Sequence, residues 1–104
     1  PQYVEAARGL AQRMMTDGGK TPATRIAHGF QLATARLPSA AETVLMAQLY
    51  KATLAKYTAD TKAAAALVAI GEVKADAAMK VSERAAWTMV ANLILNLDEV
   101  LNKS

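Results

Sequence analysis

The chain has 104 residues, a formal net charge of +3 and no cysteine. This length allows one folded domain and leaves no room for a second core. The lack of cysteine excludes disulfides and thiolate metal sites. Hydrophobic residues, with alanine the most frequent, make up 53% of the chain and aromatic residues only 5%. This composition favours closely packed helices over a β-sheet.

The basic character of the chain, with a pI of about 9.4, raises the question of nucleic-acid binding. The basic residues are interrupted by acids, and no aromatic and basic platform for stacking bases is present, so we expect no nucleic-acid partner. Up to Lys56 there are seven basic and three acidic residues. This asymmetry indicates either a solvated surface or a basic face toward an acidic partner. The longest apolar run, residues 63–70, is too short to span a membrane.

The first predicted helix runs from Tyr3 to about Thr16. Its apolar residues recur every three or four positions, as on one face of a helix. They are Tyr3, Val4, Ala7, Leu10, Ala11, Met14 and Met15. The Asp-Gly-Gly segment 17–19 is predicted to end the helix, because glycine favours the left-handed conformation that follows many helices.

The second predicted helix begins at Thr21, the expected N-cap, with Pro22 at the first helical position. Its apolar stripe comprises Ile26, Phe30, Ala33 and Leu37. Pro38 is predicted to end this helix, because the residue before a proline is disfavoured in helical geometry.

The third predicted helix begins with a capping box, in which Ser39 and Glu42 exchange hydrogen bonds between side chain and backbone. Two adjacent apolar stripes follow. One stripe contains Leu45, Leu49 and Ala52, and the other contains Met46, Tyr50, Leu54 and Tyr57.

Asp60 is the predicted N-cap of a short fourth helix over Lys62–Ile70, which Gly71 ends. Residues 72–81 are predicted to form a polar loop or a turn of helix. Ser82 is predicted to cap the last helix, whose apolar residues cover more than one face. They are Trp87, Met89, Val90, Leu93, Ile94, Leu97, Val100 and Leu101. Such a helix is expected at the centre of its bundle, so the predicted fold is an all-α, compact bundle of about five helices with the last one central.

No catalytic or metal-binding constellation is recognisable. His28 is the only histidine, and it has no cysteine or second histidine as a partner. Asp98 and Glu99 are adjacent on a helix and point in different directions, which suits paired acid/base chemistry poorly. We expect one or both to form an ion pair with an arginine, the possibilities being Arg25, Arg36 and Arg84.

Asn92 and Asn96 lie one turn apart on the last helix. Their amides either contact a ligand or hydrogen-bond to loop backbone, and the second role is the commoner one for asparagine. The methionines are expected to fill the core. The covalent haem motif is absent, and we expect no cofactor in this domain.

Two segments resemble a known family. Residues 36–42, Arg-Leu-Pro-Ser-Ala-Ala-Glu, follow the Phe-Gln-Leu of 30–32, and residues 86–99 read Ala-Trp-Thr-Met-Val-Ala-Asn-Leu-Ile-Leu-Asn-Leu-Asp-Glu. With residues 4–8 and 71–72 in matching order, they resemble the C-terminal end of the planctomycete-type domain of unknown function. That domain occurs in large secreted bacterial proteins, often beside cytochrome-c-like modules.

The resemblance implies an extracytoplasmic, multidomain parent of which residues 1–104 are one helical domain, and any haem would be bound elsewhere in that parent. Ala35 stands where the family has glycine, which suggests a less strained turn or a slightly longer second helix. The family's motif residues are expected to be structural, with Arg36 pairing with Asp98 or Glu99. They are Arg36, Pro38, Ser39, Glu42, Trp87, Asn96, Asp98 and Glu99.

Three functional hypotheses follow. The first is a non-catalytic helical module that docks on the remainder of a larger secreted protein. The second is an interaction domain for a separate protein. The third is an accessory lobe that contributes residues such as Arg25, Asn92 or Asp98 to an enzyme or redox site of the parent. An exposed apolar patch would favour the first two, and a polar cleft lined by those residues would favour the third.

Overall fold

The computed structural model describes residues 2–69 and 81–102, and over these it forms five α-helices and no strand. The helices are α1 (Gln2–Asp17), α2 (Pro22–Thr34), α3 (Ala40–Ala59), α4 (Thr61–Ala69) and α5 (Val81–Asn102). The predicted all-α class is confirmed. The radius of gyration of 12.8 Å is close to the value of about 13 Å expected for a domain of this length.

Helix α5 is the centre of the bundle, as predicted, because it packs against all four other helices. Trp87, Val90 and Ile94 of α5 are fully buried. They meet side chains of α1, α2 and α3 in one core, chiefly Leu10, Met14, Ile26, Phe30 and Met46. Burial of a large apolar side chain contributes on the order of 1.5–3 kcal/mol, so this core makes a large contribution to the stability of the fold.

A smaller cluster holds α4 to the bundle. Tyr57 of α3, Ala64 of α4 and Ala85 of α5 form its buried centre. Arg8 adds a polar tie between α1 and α4, since its Nε donates a hydrogen bond of 2.8 Å to the carbonyl oxygen of Leu67. The short fourth helix is therefore fixed from both α1 and α5.

The turn between α1 and α2 follows the sequence prediction. Helix α1 ends at Asp17, and Gly19 has a φ of 82°, a left-handed conformation that glycine adopts without steric cost. Thr21 caps α2, because its side-chain oxygen accepts a hydrogen bond of 3.2 Å from the backbone N–H of Thr24. Pro22 occupies the first helical position.

The predicted end of α2 is wrong by one turn. The helix ends at Thr34, and Ala35 takes a left-handed conformation with a φ of 60°, its N–H donating to the carbonyl of Gln31. Leu37, assigned to the apolar stripe, is 65% exposed. The suggestion that alanine at this position lengthens the helix or relaxes the turn is also wrong. The tight turn is present, and alanine bears a cost of roughly 1–2 kcal/mol in this conformation.

The two predicted apolar stripes of α3 differ in how deeply they are buried. Met46 and Tyr57 are buried and Tyr50 is half-buried, so their stripe faces the core. In the other stripe, Leu45 is 52% exposed and Ala52 is exposed. Leu49, in the same stripe, is half-buried and packs against the core, so this stripe is divided between core and solvent. Periodicity does not distinguish two apolar sides of one helix, because both have the same spacing.

Of the two predicted N-caps of α4 and α5, one is confirmed and the other is wrong. Asp60 caps α4 as predicted, since its Oδ1 accepts a hydrogen bond of 3.1 Å from the N–H of Ala63. Ser82 is not an N-cap, because α5 already begins at Val81 and Ser82 lies in its first turn, 8% exposed. The predicted end of α4 at residues 70–71 lies outside the described residues, as does the predicted loop or turn at 72–81 except for its last residue, Val81, which begins α5.

Candidate functional site

The connection between α2 and α3 is fixed by an ion pair combined with the predicted capping box. Arg36 donates two parallel hydrogen bonds of 2.8 Å, from its Nη1 and Nη2 to the two carboxylate oxygens of Glu42. Glu42 also accepts from the Ser39 N–H at 2.8 Å, and the Glu42 N–H donates to Ser39 Oγ at 3.1 Å. Two-pronged arginine–carboxylate pairs fix orientation as well as distance. We call residues 32–45 the α2–α3 corner.

This corner holds Glu42 in its charged form. The hydrogen bonds from the Arg36 guanidinium, followed by that from the Ser39 backbone, lower the pKa of the Glu42 carboxyl from 4.5 to about 2. A general acid or base at neutral pH needs a pKa near 7. Glu42 is therefore suited to a structural role and not to proton transfer.

Arg36 also connects the corner to the core. Its guanidinium carbon lies 5.2 Å from the centroid of the buried Phe30 ring, within the range of a cation–π contact. Pro38 is half-buried in the same connection. The side chains of Asp98 and Glu99 lie outside the described residues, so their predicted pairing with Arg36 stays a prediction.

The corner also exposes apolar side chains. The four large hydrophobic residues that are exposed in the described part of the chain all lie in it, with exposed fractions of 39% for Leu32, 65% for Leu37, 56% for Val44 and 52% for Leu45. Isolated exposed leucines are ordinary on soluble proteins, whereas a group of them indicates an interaction surface. Part of this surface was visible in the sequence, because Leu45 belongs to the apolar stripe of Leu45, Leu49 and Ala52.

Two of these exposed residues, Val44 and Leu45, lie on the solvent-facing side of α3. Every residue of this side is exposed, and none is acidic. We call it the outer face of α3, made up of Ala41, Val44, Leu45, Gln48, Lys51, Ala52, Ala55 and Lys56.

A cluster of aromatic and cationic side chains lies where α2, α3 and α5 meet. The rings of Tyr50 and Trp87 are stacked with centroids 4.2 Å apart and planes inclined by 25°. The guanidinium carbon of Arg25 lies 5.7 Å from the Trp87 ring, and Arg25 Nε donates to the Gly19 carbonyl at 3.0 Å. The three helices are thus joined by a stack in which the Trp87 ring is buried and Tyr50 and Arg25 are half-buried.

The chemistry available to this stack is limited. Burial and the nearby carboxylate of Glu83 raise the pKa of the Tyr50 phenol above its usual value of 10, so the phenol stays neutral at physiological pH. Trp87 is fully buried, and its Nε1–H has no hydrogen-bond partner among residues 2–69 and 81–102. The stack offers hydrogen-bond donors and a cation, but it contains no nucleophile beside a base.

Of the three proposed ligand contacts, the structure describes the side chains of Arg25 and Asn92, and no contact joins these two. Arg25 lies on Trp87, whereas Asn92 is five residues further along α5 and so about 140° around the helix from that ring. Asn92 is half-buried and Asn96 is exposed, and neither amide has a hydrogen-bond partner within the described part of the chain. The side chain of Asp98 is outside it.

The remaining features support no further chemistry. His28 is half-buried, with its Nε2 lacking a partner among the described residues. Within those same residues no group of three or more histidine or acidic side chains is placed to hold a metal ion. No helix in the searched ranges is long and apolar enough to cross a membrane. Comparisons of this chain with protein-family models, with curated proteins and with solved structures gave no match.

Proposed function

We propose that this domain is a non-catalytic helical docking module of a larger secreted bacterial protein. The observation that carries the proposal is the grouping of the four exposed large apolar side chains in the α2–α3 corner. An apolar patch of this kind loses contact with water when a second surface covers it. The secreted, multidomain parent is taken from the family resemblance.

The corner is built as a rigid surface, which suits docking. The ion pair between Arg36 and Glu42 and the capping box at Ser39 fix the connection on which Leu37 lies. A surface that is ordered before binding loses less conformational entropy on association than a mobile loop does. Leu37 can thus serve as an anchor without a large ordering cost.

The test is a titration of the isotope-labelled 104-residue domain with the separately expressed remainder of its parent protein, followed by amide chemical shifts. We expect the shifts to be confined to the corner and the outer face of α3. Leu37→Ser and Val44→Ser should weaken binding, whereas Ala66→Ser, at an exposed position of α4, should not. The absence of shifts at saturating concentration would refute the proposal and redirect the search to a separate protein.

An accessory role in a site of the parent is the second candidate. It is favoured by the Arg25 guanidinium, which is held in place by Trp87 and the Gly19 carbonyl and could contact an anionic group. The same titration distinguishes the two functions. Shifts centred on Arg25, Tyr50 and Trp87, with the corner unaffected, would support the accessory role instead of docking.

A further inference from the structure

We propose that the partner of the outer face of α3 is an acidic amphipathic helix, laid along that face with its apolar stripe toward Val44 and Leu45. The inference rests on the proposed docking function and specifies the chemistry of the docked surface. It follows from three properties of α3: apolar residues on both of its sides, small residues along its outer face, and an excess of positive charge there.

Helix α3 is apolar on the side that faces the core and on the side that faces solvent. Met46 and Tyr57 are buried inside, while Val44 and Leu45 are more than half exposed outside. A helix with apolar residues all round is normally covered all round. The outer side of α3 therefore has the composition of a buried helix face, although nothing in the described part of this chain covers it.

The shape of the outer face suits a helix as the covering element. Beyond Val44 and Leu45 the face continues over Ala52 and Ala55, both exposed. Short side chains allow the axis of a second helix to approach closely, and ridges of its larger side chains can fill the grooves between them. Helix α3 is 20 residues long and so offers about five turns to such a partner.

The positive charges of the outer face indicate that a partner carries negative charge. Lys51 and Lys56 are exposed on it. The only acidic residue of α3, Glu42, is engaged by Arg36, and neither lysine has a carboxylate within 4.0 Å among the described residues. The ammonium of Lys56 lies 5.6 Å from the Tyr57 ring, which holds it near the helix surface. Glutamate or aspartate beside the apolar stripe of a partner would complement both lysines.

A second copy of this chain fits the face less well. Two copies would bring four lysines and no free carboxylate of α3 into one interface, and repulsion of like charges opposes that pairing.

The test uses the 104-residue chain and two synthetic helical peptides of about five turns. Both peptides carry leucines at the spacing of one helix face. One has glutamates beside the leucines, and its twin has lysines at the same positions. We expect the glutamate peptide to shift the amides of the outer face of α3 and to bind roughly tenfold more tightly than its twin, because each exposed ion pair contributes only a little.

Charge reversal provides the control. The double variant Lys51→Glu/Lys56→Glu should lose or invert the preference between the peptides. Arg13→Glu/Lys62→Glu makes the same change in net charge at exposed positions of α1 and α4 and should keep the preference. Equal binding of the two peptides, or shifts that centre elsewhere than on α3, would overturn the inference.

The outcome also separates this inference from the proposed function. If the remainder of the parent protein shifts the α3 amides while neither peptide does, docking stands and the acidic helix is refuted. If neither the remainder nor the peptides cause shifts, both are refuted. If the glutamate peptide alone binds, the acidic-helix preference stands, and its natural source is a separate protein.

Discussion

Replacing Ala35 by glycine should stabilise this protein, although a mutation to glycine usually destabilises a helical domain. Ala35 follows α2 in a left-handed conformation, with φ 60° and ψ 21°. A residue with a Cβ atom pays roughly 1–2 kcal/mol there. Glycine avoids that cost but loses about 0.4–1 kcal/mol through the greater freedom of the unfolded chain. We therefore expect Ala35→Gly to raise the free energy of unfolding by about 0.5–1 kcal/mol.

The assay is reversible thermal and urea unfolding followed by circular dichroism. For a domain of this size the gain corresponds to a rise in Tm of roughly 3–6 °C. Ala52→Gly is the matched control, since Ala52 is exposed in the interior of α3. It should destabilise by about 1 kcal/mol, the usual difference between alanine and glycine in a helix. Equal losses in the two variants would show that residue 35 does not have the left-handed conformation, and would refute the reasoning.

Three further predictions concern the corner, an exposed glycine of α1 and a buried glycine of α2. Because the pKa of Glu42 is lowered to about 2, its contribution to stability is present above pH 4.5 and is lost as the pH falls toward 2. We expect this contribution to the free energy of unfolding to be about 1 kcal/mol, because the Arg36 side chain is 39% exposed and water weakens the ion pair. Urea unfolding of the wild type and Glu42→Gln at pH 7 and pH 2.5 should show a difference that is clearly smaller at the lower pH. Gly9→Ala should stabilise by about 1 kcal/mol, because a Cβ there meets nothing within 4 Å. Gly29→Ala should instead destabilise by about 1 kcal/mol, since its Cβ would lie 2.7 Å from Sδ of the fully buried Met14. A gain in Tm like that of Gly9→Ala would contradict the close packing of Met14 on Gly29.

Features that depend on neighbours along the chain were predictable from the sequence. The capping box at Ser39 and Glu42 and the cap at Asp60 need only residues three positions apart. The central position of α5 was also predictable, because its apolar residues cover much of its circumference. In each case the deciding interaction lies within one helix or at its end.

Features that depend on distant contacts were missed. The end of α2 at Thr34 was hidden because Ala35 is an unusual residue for the left-handed position. The stacking of Tyr50 on Trp87 joins residues of α3 and α5, and no local pattern indicates which aromatic residues meet. For α3, the sequence showed two apolar stripes, and only the packing of the bundle determined that Leu45 faces solvent.

The position of α5 in the chain has a consequence for synthesis. The helix on which α1–α4 all pack is the last of the five to be made. At roughly 5–20 residues per second, the 22 residues of α5 take about 1–4 s to add, and until then the core shared by α1, α2 and α3 lacks Trp87, Val90 and Ile94. The nascent chain thus exposes to other proteins and chaperones the apolar side chains that α5 later covers. The core is complete only after α5 has been made.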